Sequence, residues 1–333
     1  MADTAGVTRF ARQVGAMPRR LVRSTRARWR HGLLAGRAQP RWWPEGVAEW
    51  PGLRSPHADK EVVLFAGGRR YEFAPAALRG FSGHVHHGTR RPTADDVAAS
   101  LARLDLPIEV ARSMATVSSF EGGYDAIQTY DSAKFSWGFI QFSASGGLYD
   151  VLEAIKGSQP AVFASVFEPA GIDTAHWQVL VRRDGRTFVG PRAQDLLHDD
   201  PTLWTPFIIA AGITGVQDAQ TRVAYERYYL PMMQATTTTS GGEMRFGDVF
   251  AHSEVGRTLL FDRAVRLGPA SAVALFRGVM ERCGARVDQF EAASQDGCGV
   301  DAIVNELLLA EAHDGTRLGS IISQLADAEP ETR

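Results

Sequence analysis

The strongest constraint on this chain is a helix that has to stop. In "PIEVARSMATVSSFEGG" (residues 107–123) apolar residues recur at Ile108, Ala111, Met114, Ala115 and Val117, the spacing of one buried helical face. The run ends on Glu121, followed by Gly122 and Gly123. Pro107 suits the first helical position, where its missing N–H costs nothing. Paired glycines are natural C-terminal caps because left-handed backbone carries no Cβ penalty for them. The result is a carboxylate at the last turn of a buried helix, where its charge opposes the helix dipole. The next stretch, "YDAIQTYDSAKFSWGFIQF" (124–142), reads as a hairpin: a strand from Tyr124 to Thr129, a turn over Tyr130 to Lys134, and a strand from Phe135 to Phe142. In that second strand Ser136 and Gly138 share one side, while Phe135, Trp137 and Phe139 share the other.

Local signals place this segment in an α+β, mostly α chain. "EVVLFAGGRRYEF" (61–73) reads as a β-hairpin around a Gly-Gly turn, and "TADDVAASLARLDLP" (93–107) as a short helix capped by Thr93. Short helices are expected at 149–157 and 161–167, and a second hairpin with an Asp-Gly turn at 177–190. Further helices follow at 192–213 and 216–234, and near 246–266, 270–284 and 300–327. "ATTTTSGG" (235–242) reads as a low-complexity loop. The domain organisation is a basic arm over 1–44, a Trp/Pro-rich strap and hairpin over 45–92, a main domain over 93–327, and a tail over 328–333.

Charge separates the arm from the body. Residues 1–44 hold ten Arg against one acid, Asp3, a net +9, so the remaining residues of a chain at −2 carry −11. Such an arm would contact an anionic surface or a partner protein, or serve as a solubilising tail. It lacks the apolar core of a secretory signal, which leaves a cytoplasmic location or export by a non-classical, phage or secretion-machine route. No stretch is apolar for the roughly 18 residues of a membrane span. Cys283 and Cys298 fit neither a zinc set nor a disulfide framework; they read as two buried thiols, with a single bridge as the alternative.

The chemistry-bearing residues lie around the helix end. Glycosidic bond cleavage needs a carboxylic acid kept protonated by burial and, in most enzymes, a second carboxylate. Glu121, at the end of an apolar helix and facing a strand rich in Phe and Trp, suits the acid. Asp131, in the hairpin turn, suits an ionised base, and Ser136 would help it hold a water. Asp125 competes with Asp131 for the second role. The bland alternative is that Glu121 is a plain helix end, with Asp125 and Asp131 as turn formers bonding their own backbone. His84, His86 and His87 share a loop with no fourth ligand beside them. No metal or cofactor is called for, and there is no phosphate-cradling glycine loop and no Ser-His-Asp signature. Glu254 and the pair Asp262-Arg263 read as surface ion pairs, and Tyr225, Tyr228 and Tyr229 as core packing by their helical spacing.

Glu121-Gly122, Tyr130-Asp131 and Ser136-Trp137-Gly138 stand in the order and near the spacing of the catalytic segment of phage-type lysozymes, with Ser in place of Thr. "WGFIQF" is similar to the Gly-x-x-Gln strand of lytic transglycosylases at Gly138 and Gln141, and chitosanases share the architecture. The stretch 107–142 thus resembles the lysozyme-like superfamily of glycoside hydrolases. "YYLPMM" (228–233) and "GRTLLFDRAV" (256–265) look like pieces of the second helical lobe of such enzymes. The resemblance implies a catalytic helix, a small β-hairpin sheet and a larger helical lobe. It also implies cleavage of an amino-sugar polymer, the peptidoglycan glycan strand first and chitosan as the alternative. Glu121, Asp131 and Ser136 would be catalytic, with Asp125, Tyr130, Gly138 and Gln141 binding substrate. Were Asp131 turned away, a transglycosylase relying on Glu121 alone would follow. A non-catalytic module of the same shape, docking through its arm, is the remaining reading.

Overall fold

A computed structural model describes residues 60–239, 242–284 and 298–327. The basic arm, the strap up to residue 59 and the 328–333 tail lie outside the described residues. The fold is α+β and mostly helical, with small antiparallel sheets. Among the described residues no helix is long and apolar enough to cross a membrane.

The largest sheet has six strands in sequence order: β1 (Val62–Ala66), β2 (Arg69–Leu78), β3 (Phe81–His86), β4 (Ile127–Gln128), β5 (Ser136–Trp137) and β6 (Phe142–Ser143). The β1–β2 hairpin turns at Gly67-Gly68, as its sequence indicates. Between β3 and β4 the chain leaves the sheet to build α1 (Ala94–Arg103) and α2 (Ala111–Glu121). It returns to pair Val85 with Gln128 and His86 with Ile127. The six-stranded sheet therefore takes strands from both sides of residue 92. The free edge of β3 is satisfied by β4, and Ala66 and Phe73 lie in one core with Ile127 and Trp137.

The 135–142 strand also departs from expectation. It is two short strands, broken by a tight turn in which Gly138 (φ 92°) and Gln141 (φ 56°) are left-handed and Gln141 N–H donates to Gly138 O at 3.0 Å. In an ideal continuous strand Gln141 would lie on the opposite face from Gly138; the turn brings it back onto Gly138. Phe135, Trp137, Phe139 and Phe142 are all buried, so this is the aromatic floor of the sheet and not an alternating surface strand.

Beyond it come α3 (Gly147–Ser158), a helical stretch over 160–170, and a three-stranded sheet of β7 (Ile172–Ala175), β8 (Gln178–Arg183) and β9 (Arg186–Val189). The 177–190 hairpin is present, and β7 extends it. Helices α4 (Pro191–Asp199), α5 (Thr205–Ala211) and α6 (Thr214–Val223) follow, the last running through a widened turn, Ala224–Tyr229, into Leu230–Gln234. The threonine run is not a loop: β10 (Thr236–Thr239) pairs with β11 (Gly242–Arg245), as β-branched residues favour. The chain then forms α7 (Glu254–Leu267), α8 (Pro269–Arg282), α9 (Cys298–Ala310) and α10 (Gly315–Asp327), so the final helix expected near 300–327 is two.

Two apolar cores result. One gathers the six-stranded sheet, α1, α3 and α6; the other gathers Phe246, Leu260, Phe276, Leu307 and Ile321 from the C-terminal helices. Helix α2 serves both, with Met114 and Val117 in the first and Phe120 packed on the second. Its last residue, Glu121, thus stands where the two cores meet.

Gly138 is where the sheet is least tolerant. Its backbone is left-handed, and a Cβ there would collide with Oε1 of Gln220, a buried residue of α6 that receives Phe139 N–H at 3.3 Å and donates to Tyr124 O at 3.0 Å. Gly138→Ala is expected to lower stability by about 1–3 kcal/mol in a denaturant titration. A variant as stable as the parent would contradict this packing.

Candidate active site

The two glycines after Glu121 are required by what approaches them. Gly123 N–H donates to His87 O at 2.9 Å, and a Cβ on Gly122 would lie 2.5 Å from the Ala126 Cβ. The 87–90 loop thus packs directly against the helix end, and the backbone must turn there with no side chain in the way. This fixes where Glu121 points.

Glu121 meets a cluster of charges that come from distant parts of the chain. Arg317, in the first turn of α10, donates through Nη2 to Glu121 Oε1 at 2.6 Å and to Asp262 Oδ1 of α7 at 2.6 Å, with Nε on the same Asp262 oxygen at 2.8 Å. Its guanidinium carbon also lies 5.0 Å from the Phe120 ring centroid. Asp262 is fully buried and is held on its other oxygen by Arg263. Arg263 continues to Glu311 at 3.0 Å and Asp314 at 2.8 Å, and Arg266 reaches Asp314 at 3.3 Å. Asp262 and Arg263, expected to form a surface ion pair, are instead the buried centre of this network.

Charges of both signs surround Glu121. Glu121, Asp262, Glu311 and Asp314 meet Arg263, Arg266 and Arg317, and His313 Nε2 lies 3.8 Å from Glu311. Burial pushes the Glu121 carboxyl above its ordinary range; Arg317 opposes this, and the Asp262 charge adds to it. Arg317 is itself held more firmly charged by Glu121 and Asp262 despite its burial. Glu121 shares the Arg317 guanidinium with Asp262, and the upward shift from its burial favours the protonated form. Arginine has no acceptor, so Oε1 receives its hydrogen bond in either state and the proton belongs on Oε2.

Asp131 sits apart from this cluster. Its Oδ2 accepts from Gln128 Nε2 at 2.7 Å and its Oδ1 from Ala133 N–H at 2.9 Å. It is less solvated than the sequence suggests: desolvation raises its pKa, against the two hydrogen bonds. The partner that holds it is Gln128 of β4, which sequence reasoning missed. Ser136 is buried opposite Gln128 in the ladder, and among the described residues the side-chain partners of Asp131 are Gln128 and Ala133. Tyr130 joins the two acids electrostatically. Burial raises its hydroxyl pKa, and the charges of Asp131 and Glu121 raise it further.

The other sequence-derived positions divide. Asp125 is committed elsewhere: it accepts from Thr89 N–H at 2.9 Å and Thr89 Oγ1 at 2.5 Å, and lies 3.7 Å from His86 Nε2. It fastens the 87–90 loop across 36 residues of sequence and is not a local turn former; the local turn bond is the one Asp131 accepts from Ala133 N–H, two residues on. Gln141 turns its Nε2 onto Gly138 O at 2.9 Å, lies beside Gly122, and leaves a buried Oε1 with no hydrogen bond. Tyr229 is buried and stacked with Tyr225, and Tyr228 packs edge-on against Phe142. Glu254 pairs with Arg112 at 2.8 Å, joining α7 to α2. His84 and His86 bond the backbone carbonyls of Lys60 and Glu72. Among the described residues no group of three or more His, Cys, Asp or Glu is placed to hold a metal ion. Comparison with protein-family models and with curated proteins finds no match to the chain.

Two variants probe this arrangement. Since the folded-state pKa of Glu121 is raised above the ordinary 4.5, its uncharged form supports the fold at low pH, and that support is lost as pH rises through the raised value. Glu121→Gln copies the uncharged form and keeps an acceptor for Arg317. Its thermal midpoint is expected to gain on the parent's as pH rises; a gap that closes with rising pH would reverse the assignment. Arg317→Ala removes a cation shared by Glu121 and Asp262, leaving Asp262 to Arg263, and is expected to cost about 1–3 kcal/mol in equilibrium unfolding. A cost near zero would show that the network carries no charge balance.

Proposed function

We propose that the chain is a glycoside hydrolase with a lysozyme-like arrangement of catalytic helix, small sheet and helical lobe, acting on an amino-sugar polymer. The observation that carries this reading is Glu121: a buried carboxyl group, gripped through one oxygen, with its proton favoured on the other, at the junction of two cores. A general acid near neutral pH needs these properties. Glu121 Oε2 would protonate the glycosidic oxygen. As the carboxylate forms, Arg317 on Oε1 would stabilise the new charge. Asp131, oriented by Gln128 and the Ala133 N–H, would take a proton from water attacking the opposite face of the sugar. Its raised pKa brings it nearer to working pH, which favours a base over a permanently ionised bystander. Tyr130, close to both acids, would border the bound ring.

Peptidoglycan glycan strands are the first substrate to test. The net −11 of residues 45–333 favours the second, chitosan, whose protonated amines an acidic body attracts. The test measures release of reducing ends from both polymers. Glu121→Gln is expected to reduce turnover by at least about a hundredfold, the usual range for loss of a general acid, and Asp131→Asn to reduce it as well. Inverted products accompany a mechanism in which Asp131 acts as base on the attacking water, and retained products one in which it attacks the sugar itself. Anhydro products with Asp131→Asn active would leave the acid and remove the base. No cleavage of either polymer by the unmodified protein would sink the reading.

A further inference from the structure

Away from the Glu121 cluster, one exposed feature is out of keeping with the fold that carries it. Strands β7 and β8 are joined by a two-residue turn, His176-Trp177, closed by the Ala175–Gln178 pair. Both turn residues are left-handed, at φ 50° and 64°, a conformation that Asn-Gly or Gly-Gly adopts freely and a bulky residue avoids. The indole is 82% exposed, the most exposed large hydrophobic side chain among the described residues. It adds nothing to the core. Its neighbour is Tyr149 of α3, with ring centroids 5.7 Å apart and planes at 52°, so the two rings form an open angle at the surface. A strained position occupied by a side chain that the fold does not use points to a ligand.

The surroundings indicate which ligand. Desolvation, and then the charges of Glu153 and Asp150, raise the Tyr149 hydroxyl pKa against Lys156, which is itself paired with Asp173, so carboxylates stand at the edge of the aromatic pair. Asp150 is paired with Arg227, whereas Glu153 accepts from Thr174 Oγ1 and forms no ion pair among the described residues. Flat aromatic faces beside a carboxylate suit a pyranose ring, with its apolar C–H face and polar rim, and a protonated amine most of all. A protein partner fits poorly: two aromatic side chains bury about 150–250 Å² each, against roughly 1,200 Å² for a stable interface. In sequence the pair follows closely on the sheet that carries the candidate site. Helix α3 follows β6 almost directly, and the Ser143 and Ser145 hydroxyls, 3.3 Å apart, lie in the chain between Gln141 and Tyr149.

We propose that Trp177 and Tyr149 form a binding platform for a pyranose unit of an amino-sugar chain. Its service as a distal subsite for cleavage rests on the glycosidase reading; the binding itself does not. Titration calorimetry of the full chain with glucosamine hexamer and N-acetylglucosamine hexamer, in an Asp131→Asn background to suppress turnover, tests it. Trp177→Gly is expected to weaken binding about tenfold, while the thermal midpoint stays level or rises, since glycine relieves the left-handed turn. Trp177→Phe is expected to keep most of the affinity. Preference for the glucosamine hexamer assigns the amine as part of the contact; equal binding of both assigns the ring face alone. Equal affinity in parent and Trp177→Gly overturns the platform, as does a loss that merely follows a fall in thermal midpoint, or failure of the parent to bind either hexamer. Saturable binding that depends on Trp177, in a protein that cleaves neither polymer, keeps the platform and removes the glycosidase reading. Cleavage with no dependence on Trp177 does the reverse.

Discussion

One guanidinium group holds this structure's most consequential compromise. Arg317 reaches across from the last described helix to two carboxylates, Glu121 and Asp262, that lie 196 and 55 residues away in sequence. Buried charge is tolerated only when paired, so three helices must meet at one place for the chain to close. Because α2 contributes to both apolar cores, the same contact sets how the C-terminal helices sit against the sheet. The packing and the charge balance are thus parts of one constraint.

Within that cluster Asp262 receives hydrogen bonds from two arginines, and Asp314 is lowered beside Arg263 and Arg266. Glu121, whose ionic partner is Arg317, is raised by burial and by the Asp262 charge. Asp131, by contrast, is held by an amide and a backbone N–H with no cation in its hydrogen-bond set. Two acids in such different surroundings, both acting on Tyr130, can divide the roles of proton donor and proton acceptor.

The parts of this arrangement that were legible in the sequence are the local ones. Apolar spacing and the Gly-Gly stop locate the end of α2 and place Glu121 on it, because helix periodicity and capping act over a few residues. Thr93 announces α1 for the same reason, with a capping box to Asp96. The charge network was not legible: nothing within one turn of Asp262 or Arg317 indicates that they meet, and a fully buried Asp-Arg pair looks in sequence like a surface one. Gln128 was passed over because a two-residue strand carries almost no periodic signal. The turn at Gly138–Gln141 was hidden by an aromatic run that reads equally well as one strand. The threonine hairpin looks like a loop in sequence because its low complexity masks its β-branched composition. In each case a tertiary contact, absent from any short window, decided the outcome.

The central claim is that Glu121 keeps its proton at pH values where an ordinary glutamate has lost it. Carbon-13 labelling of glutamate carboxyls, with the Glu121 signal identified by its absence in Glu121→Gln, allows that one group to be titrated by NMR in the folded protein. The expected result is a midpoint above the ordinary 4.5, falling back toward it when Asp262 is replaced by Asn, since the guanidinium then serves one carboxylate alone. A Glu121 signal that titrates at or below the ordinary value, unmoved by Asp262→Asn, would contradict the shared-arginine account and the proton-donor role built on it.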